Sequence, residues 1–156
     1  MARFDPAQAP ELIRRARLDA GLTQAELARR ADLRQPSLAQ MESGARNVSA
    51  EMLERVLRAA DYRPSLPLAA HAAEIVAAAA RRGLSNIRVF GSTAQGTDGF
   101  ESDIDLLVTP GHTTDLFDLA LFSDDVQRLT GFRTDIVSDG GDEVFLAAIA
   151  REAVPL

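Results

Sequence analysis

Two aspartates stand at a spacing that could hold a divalent cation. Asp103 and Asp105 are separated by one residue, and the apolar run Leu106-Leu107-Val108 that follows is typical of a buried strand. Alternate residues of a strand face the same side, about 6.6 Å apart along the chain. Carboxylates at that spacing repel one another unless a cation lies between them, and Mg²⁺ prefers oxygen ligands. The sequence therefore predicts a divalent-metal site at the start of this strand.

A glycine–serine pair precedes these aspartates. Gly91 and Ser92 follow an apolar segment over 87–90, and ten residues separate Ser92 from Asp103. Glycine has no Cβ, so a ligand can approach its backbone closely, and a serine hydroxyl with nearby amides can hold an anion. A phosphate cradle followed by paired carboxylates suits a nucleoside triphosphate. The alternative is an aspartate-rich turn before a strand, with no ligand.

This stretch resembles the signature of the polymerase-beta-like nucleotidyltransferases, which is Gly-Ser, ten residues and Asp-x-Asp. The sequence of residues 103–108 resembles in particular that of the minimal nucleotidyltransferase family, and the resemblance extends over 70–156. It implies a third carboxylate, Asp135, in a predicted strand over 132–137. Asp135 would complete the metal site and take the proton from an attacking hydroxyl. Asp139, which lies past the end of that strand, is the rival candidate.

The resemblance also implies the ligands. Two Mg²⁺ ions and ATP, or another nucleoside triphosphate, are expected, with transfer of a nucleotidyl group and release of pyrophosphate. The implied metal ligands and catalytic groups are Asp103, Asp105 and Asp135, and the implied nucleotide-binding residues are Gly91 and Ser92.

One position departs from the family pattern. The family commonly has Ala-Arg-Gly where this chain has Ala94-Gln95-Gly96. The lost cation predicts weaker binding of the triphosphate, unless Arg88 or Arg133 compensates.

The first half of the chain predicts four helices. Thr23 and Glu26 form a capping-box pattern before a short helix, and Gly21 and Gly44 are placed to end helices. Ser49 is the expected N-cap of the fourth helix. The predicted helices run from Pro10 to Gly21, from Thr23 to Ala31, from Gln35 to Ser43 and from Ser49 to Ala60.

The second and third of these helices form a helix-turn-helix pattern. Residues 12–62 resemble the Cro and phage-repressor-like family, also called the XRE family, through Leu22–Ala28, Leu38, Met41–Gly44 and Arg46. In that family the third helix enters the major groove. The resemblance implies base contacts from Gln35, Ser37 and Gln40 and phosphate or edge contacts from Gln24, Arg34 and Arg46. A helical interaction module that binds no DNA is the alternative.

Prolines mark a joint between the two halves. Pro64 and Pro67 favour an extended spacer. We expect a DNA-binding domain over 1–63, a linker over 64–69 and a minimal nucleotidyltransferase domain over 70–156. The fold class is thus an all-α helix-turn-helix bundle followed by a small α/β domain, in which helices cover a mixed sheet.

Charge and composition limit the alternatives. The net charge is −6, but the first 66 residues hold 11 Arg against 9 acidic residues, so a nucleic-acid surface is expected in the first half. Cysteine is absent, which excludes a thiol nucleophile and a cysteine-ligated metal. The sequence shows no signal-peptide pattern and no run of about 20 apolar residues, so we expect a cytoplasmic protein with no membrane partner.

Together these features predict a regulator that binds operator DNA, as a homodimer, and carries a nucleotidyltransferase. Minimal nucleotidyltransferases often act as antitoxins that transfer AMP to a HEPN-type toxin, so the resemblance implies an antitoxin that represses its own operon. One alternative is a DNA-binding regulator whose second domain only senses nucleotide. Another is a small-molecule nucleotidyltransferase, such as an antibiotic-modifying enzyme.

Overall fold

The computed structural model describes residues 2–156, which form two compact units that meet in sequence between Arg63 and Pro64. Within this range no helix has both the length and the apolar character needed to cross a membrane. After a 3₁₀ turn at Pro6–Gln8, the helices of the first unit are α1 (Ala9–Asp19), α2 (Gln24–Arg30), α3 (Gln35–Ser43) and α4 (Ala50–Ala59).

The second unit is a four-stranded mixed sheet with helices, as predicted. Its strands lie in the order β3-β2-β1-β4; β2 and β3 are parallel and the other pairs are antiparallel. The helices are α5 (Ser65–Ala70), α6 (Ala72–Arg81), α7 (Gly91–Gln95), α8 (Leu116–Thr130) and α9 (Glu143–Glu152). The strands are β1 (Leu84–Phe90), β2 (Ile104–Pro110), β3 (Thr134–Ser138) and β4 (Val154–Pro155).

Local signals set the ends of the helices in the first unit. Thr23 and Glu26 form the predicted capping box, in which the Thr23 hydroxyl accepts from the Glu26 amide and the Glu26 carboxylate accepts from the Thr23 amide. Ser49 caps α4 by accepting from the amide of Met52. Gly44 ends α3 in the left-handed conformation, with φ at 82°. The predicted helix-turn-helix geometry is confirmed by these elements.

A largely buried ion pair fastens α1 to α3. The Arg17 guanidinium donates to Glu42 from Nε, at 2.9 Å, and from Nη2, at 2.6 Å. Its Nη1 also donates to the Leu22 carbonyl at 3.0 Å. One side chain of α1 therefore contacts both the turn before α2 and the last turn of α3. A bidentate pair of this kind is among the stronger hydrogen-bonded contacts in proteins.

The segment predicted as an extended linker, 64–69, is instead helical in the structure. Pro64 takes the N-cap position of α5, and Pro67 lies in the first turn, where a missing N–H costs nothing. The buried carboxylate of Asp98 accepts from the Ser65 amide at 2.8 Å and from its hydroxyl at 2.6 Å. This capping contact comes from a residue 33 positions away, so the linker pattern alone could not predict it.

Side chains on β2 alternate between the two faces of the sheet. Ile104, Leu106 and Val108 are fully buried, and α6 and α8 pack against one another and against β1 and β3 respectively. The alternate residues Asp105 and Leu107 point to the opposite face, where α9 lies. The carboxylates of interest are thus carried by a sheet whose other face is core.

An acidic residue on α8 anchors the end of α6. Asp125 is buried and accepts from Arg82 Nε at 2.9 Å and from Arg128. Burial alone would raise its pKa, but the hydrogen bonds and charges of Arg82 and Arg128 hold the pKa of Asp125 below its usual range. The two helices behind the sheet are therefore joined by a charged contact as well as by apolar packing.

Helical periodicity in the second half of the sequence predicts that Val76, Leu116, Val144 and Phe145 face inward, but all four are exposed. Leu116 at the start of α8 is 80% exposed, and Val144 at the start of α9 is 83% exposed. Phe145 and Val76 also point to solvent. These predictions were wrong for two reasons. Leu116, Val144 and Phe145 lie in the first turns of their helices, and periodicity cannot say how far along a helix its packing partner extends. Val76 lies next to the buried Ile75 within α6, where periodicity did not fix the edge of the buried stripe.

We expect the first unit to be destabilised when the Arg17–Glu42 pair is broken. Arg17→Ala removes one partner and leaves a largely buried carboxylate, so it should cost roughly 3 kcal/mol of unfolding free energy, measured by urea denaturation. Arg15→Ala is the matched control, because it breaks an exposed Arg–Glu pair with Glu11 and should cost about 0.5 kcal/mol or less. Equal losses in the two variants would contradict this role of the pair.

Candidate functional site

The pairing of β1 with β2 brings the glycine–serine turn against the paired aspartates. Phe90 is opposite Asp105 in the antiparallel register, so Gly91 follows directly beside that carboxylate. Gly91 has φ at +72°, and a Cβ added there would lie 2.5 Å from Asp105 Oδ2. Only glycine satisfies both the backbone conformation and the close approach. The predicted neighbours are therefore in contact.

The third aspartate reaches the same place from the next strand. Asp105 and Asp135 are register partners on the parallel strands β2 and β3, and Asp103 precedes β2 by one residue. Burial, followed by the negative charges of Asp135, Asp103 and Glu152, raises the pKa of Asp105. The structure thus gathers negative charge at one end of the sheet, where a cation would relieve the repulsion.

The donor set fits a hard divalent cation. Carboxylate oxygens are the ligands that Mg²⁺ prefers, and Asp103, Asp105 and Asp135 supply only such atoms. Over residues 2–156, the structure brings no three His, Asp or Glu side chains close enough together to hold a metal ion. Arg133 Nη2 lies 3.8 Å from Asp135 Oδ1 and offsets part of the negative charge of the cluster.

Asp139 is occupied by another contact. Its Oδ2 accepts from Arg88 Nη2 at 2.7 Å and from the Thr109 hydroxyl. Of the two residues considered for the third carboxylate, Asp135 is therefore the better placed. The same contact holds Arg88 in an ion pair, and Arg133 is itself paired with Asp135, so both arginines considered for the role of the family's lost cation already contact an acidic residue.

Gly91 and Ser92 open a five-residue helix, α7, which the sequence prediction did not include. Gly96 ends it with φ at +73°, and the Thr97 amide donates to the Ser92 carbonyl at 3.0 Å. The Ser92 side chain is partly exposed. This conformation places the glycine–serine pair at the edge of the carboxylate cluster.

Sequence reasoning missed Glu152 as a member of this cluster. Glu152 ends α9, and its Oε2 accepts from Gln95 Nε2, at the end of α7, at 2.8 Å. Its negative charge is among those that raise the pKa of Asp105. No local pattern in the sequence indicated this contact, because Gln95 and Glu152 lie 57 positions apart.

A cleft of about 450 Å³ opens on the face of the sheet that carries Asp105. One wall is formed by Leu107 and Arg88, and the other by α9 with the loop before it. Leu107 and Asp105 are two residues apart on β2 and face the same side of the sheet. The lining of the cleft itself includes none of Asp103, Asp105 and Asp135.

The predicted DNA-contacting residues lie on the surface of the first unit. Gln24 and Gln35 are the first residues of α2 and α3, and Gln35 Nε2 donates to Gln24 Oε1 at 3.0 Å. Gln40 is exposed, whereas Ser37 is only partly exposed and lies one turn before the buried Met41. The two glutamines that open these helices are therefore hydrogen-bonded to one another. Ser37 lies at the side of α3, between its exposed and buried faces.

The two predicted arginines on this surface, Arg34 and Arg46, are exposed. Arg34 occupies the N-cap of α3 and makes no side-chain cap hydrogen bond, as its residue type predicts. The Arg46 amide donates to the Gln40 carbonyl at 3.2 Å, which fixes the turn after α3. Both guanidinium groups flank the helix expected to read DNA.

Comparison with known proteins agrees with this reading of both units. The family model for helix-turn-helix domains matches residues 13–66, and the model for the nucleotidyltransferase domain matches residues 73–153, which is more than half of the chain. The protein belongs to the nucleotidyltransferase domain family and carries an XRE-type helix-turn-helix region before that domain.

A solved structure places the second domain more narrowly. A chain described as a minimal nucleotidyltransferase is 35% identical, with a TM-score of 0.56; the match covers 61% of this chain and 98% of that chain. A search of curated proteins found no match. The findings support a DNA-binding regulator fused to a nucleotidyltransferase of the minimal type.

The close approach of Gly91 to Asp105 gives a matched pair of substitutions. Gly96→Ala and Gly91→Ala each put a side chain at a positive φ, which should cost roughly 1 kcal/mol, but a Cβ at Gly96 meets nothing within 4 Å. We therefore expect Gly91→Ala to be the more destabilising in urea denaturation and to weaken Mn²⁺ binding, because it displaces Asp105. Equal unfolding free energies and equal Mn²⁺ affinities in both variants would contradict the contact.

Proposed function

We propose that this protein is a DNA-binding repressor and antitoxin whose second domain transfers AMP from Mg-ATP to a partner protein. The observation that carries the proposal is the meeting of Gly91 with Asp105 and of Asp105 with Asp135 across adjacent strands. A glycine turn that a phosphate can approach then lies beside carboxylates that a metal can bridge. Asp103 and Ser92 complete the set proposed to bind the metal and the nucleotide.

The chemistry assigned to these residues is an in-line displacement. Divalent cations, when bound, would neutralise the triphosphate and the charge that develops on the attacking and leaving oxygens. Gly91 and Ser92 orient the outer phosphates. An acceptor hydroxyl forms the new bond to the α-phosphorus, the bond to pyrophosphate breaks, and Asp135 takes the hydroxyl proton.

A protein acceptor agrees with the exposure of this site. The Asp135 side chain is 51% exposed and stands on β3, the outer strand of the sheet order. A hydroxyl carried on the surface of a macromolecule can reach such a carboxylate without entering a closed pocket. The choice of a HEPN-type toxin as the acceptor rests on the resemblance to antitoxin nucleotidyltransferases.

The first unit is proposed to bind the protein's own operator as a homodimer. The hydrogen bond from Gln35 to Gln24 orients both side-chain amides at the N-terminal ends of α2 and α3. A glutamine can pair bidentately with adenine, and exposed arginines can bind the flanking phosphates. Two copies would read paired half-sites, as this motif generally does.

The decisive experiment is incubation of the full chain with α-labelled ATP and Mg²⁺, alone and with the product of the neighbouring gene. Label on protein is expected, and the Asp103→Ala/Asp105→Ala variant should abolish it. Asp135→Asn should also abolish transfer because it removes the proposed proton acceptor, whereas Asp139→Asn, which weakens the contact with Arg88 and Thr109, should retain it. Absence of label with every acceptor offered, or loss of label only in Asp139→Asn, would contradict the assignment.

DNA recognition is tested by binding to the DNA upstream of the gene at several salt concentrations. Gln35→Ala should cost about 1–3 kcal/mol of specific binding and leave non-specific binding unchanged. Arg46→Ala should weaken binding to all sequences and lower the salt slope by about 1. If Gln35→Ala weakened specific and non-specific DNA equally, Gln35 would not read bases.

The second candidate is a regulator whose nucleotidyltransferase domain only senses nucleotide. The observation that favours it is Gln95, which gives Glu152 a neutral hydrogen-bond donor where the family has a cation. In that case ATP would bind in the presence of Mg²⁺ and shift operator affinity, with no label transferred. Transfer to an aminoglycoside in place of a protein would instead indicate an antibiotic-modifying enzyme.

A further inference from the structure

The contact between Gln95 and Glu152 joins the ends of two helices next to the carboxylate cluster. Gln95 is the last residue of α7, which opens with Gly91, and Glu152 is the last residue of α9. The 2.8 Å hydrogen bond from Gln95 Nε2 to Glu152 Oε2 therefore ties the C-terminal helix to the turn that carries the glycine–serine pair. The two helices also pack against one another.

This hydrogen bond fixes a charge without neutralising it. An amide donor satisfies one carboxylate oxygen but carries no net charge, unlike the guanidinium of an arginine. Gln95 therefore holds the Glu152 carboxylate in place without adding a positive charge beside it. The contact places Glu152 against the five-residue helix that opens with Gly91 and packs on β2, which carries Asp105.

We propose that Glu152, positioned by Gln95, makes the site select the metal complex of a nucleoside triphosphate and reject the free triphosphate. The inference rests on the proposed function, because it assumes that the site binds a metal and a nucleotide. A fourth negative charge beside Asp103, Asp105 and Asp135 attracts divalent cations and repels an uncomplexed polyphosphate. Glu152 is a positioning and selectivity residue in this scheme and takes no part in bond making.

Two substitutions separate the charge from the hydrogen bond. In Glu152→Gln the new amide oxygen can still accept from Gln95 Nε2, but the charge is gone. In Gln95→Arg the carboxylate remains and acquires a cationic partner. Asp124→Asn is the matched control, because it removes a negative charge from an exposed position of α8 in the same unit.

The measurements are equilibrium binding of Mn²⁺ alone, of ATP in EDTA and of ATP with Mg²⁺, all with the full chain. Both variants should bind Mn²⁺ alone about three- to fivefold more weakly, and ATP in EDTA more tightly by a similar factor, as expected for one unit charge several ångströms away in a solvated site. The preference for Mg-ATP over free ATP equals the affinity that the metal adds to the bound nucleotide, so it should fall by the same roughly three- to fivefold. Asp124→Asn should behave like the unmodified chain.

The outcomes separate this inference from the function on which it rests. If the unmodified chain binds Mn²⁺ and Mg-ATP but Glu152→Gln leaves all three affinities unchanged, the inference is overturned and the proposed function stands. A fall in unfolding temperature with unchanged affinities would overturn it in favour of a purely structural contact. If the unmodified chain binds neither probe, both the proposed function and the inference are overturned.

Discussion

The second unit depends on one constraint, the absence of a side chain at Gly91. The antiparallel register of β1 and β2 forces the residue after Phe90 against the carboxylate of Asp105, and the backbone there has a positive φ. Any larger residue would have to displace the aspartate or the strand. The parallel strand β3 places Asp135 beside Asp105. The turn at Gly91 therefore affects the position of both carboxylates.

Sequence reasoning succeeded where the determinants are local. The capping box at Thr23, the cap at Ser49 and the glycine that ends α3 all act within a few residues. That Gly91 lies close to Asp105 could likewise be predicted from the two strands on either side of the turn. For the same reason, both the helix-turn-helix region and the nucleotidyltransferase domain could be recognised from short stretches of sequence.

The predictions that failed depended on distant partners. Two prolines correctly indicated an interruption, but α5 forms because Asp98 satisfies its first turn across 33 positions. The inward side of α8 and α9 was misjudged at Leu116 and Val144, which open their helices and are exposed, because the packing partners of these helices are distant in sequence. Glu152 escaped notice because its partner, Gln95, is 57 residues away. No pattern within a window of sequence could reveal these contacts.

The contact between Ser65 and Asp98 also determines where a fragment of the second unit can begin. A fragment that begins at Pro64 keeps both hydrogen bonds to the buried Asp98 carboxylate. A fragment that begins at residue 70, where the family resemblance starts, would lose both, and the loop between the glycine–serine turn and the paired aspartates would lose a support. An isolated catalytic fragment should therefore be made with α5 included, and low activity in a shorter one would reflect damage to this loop.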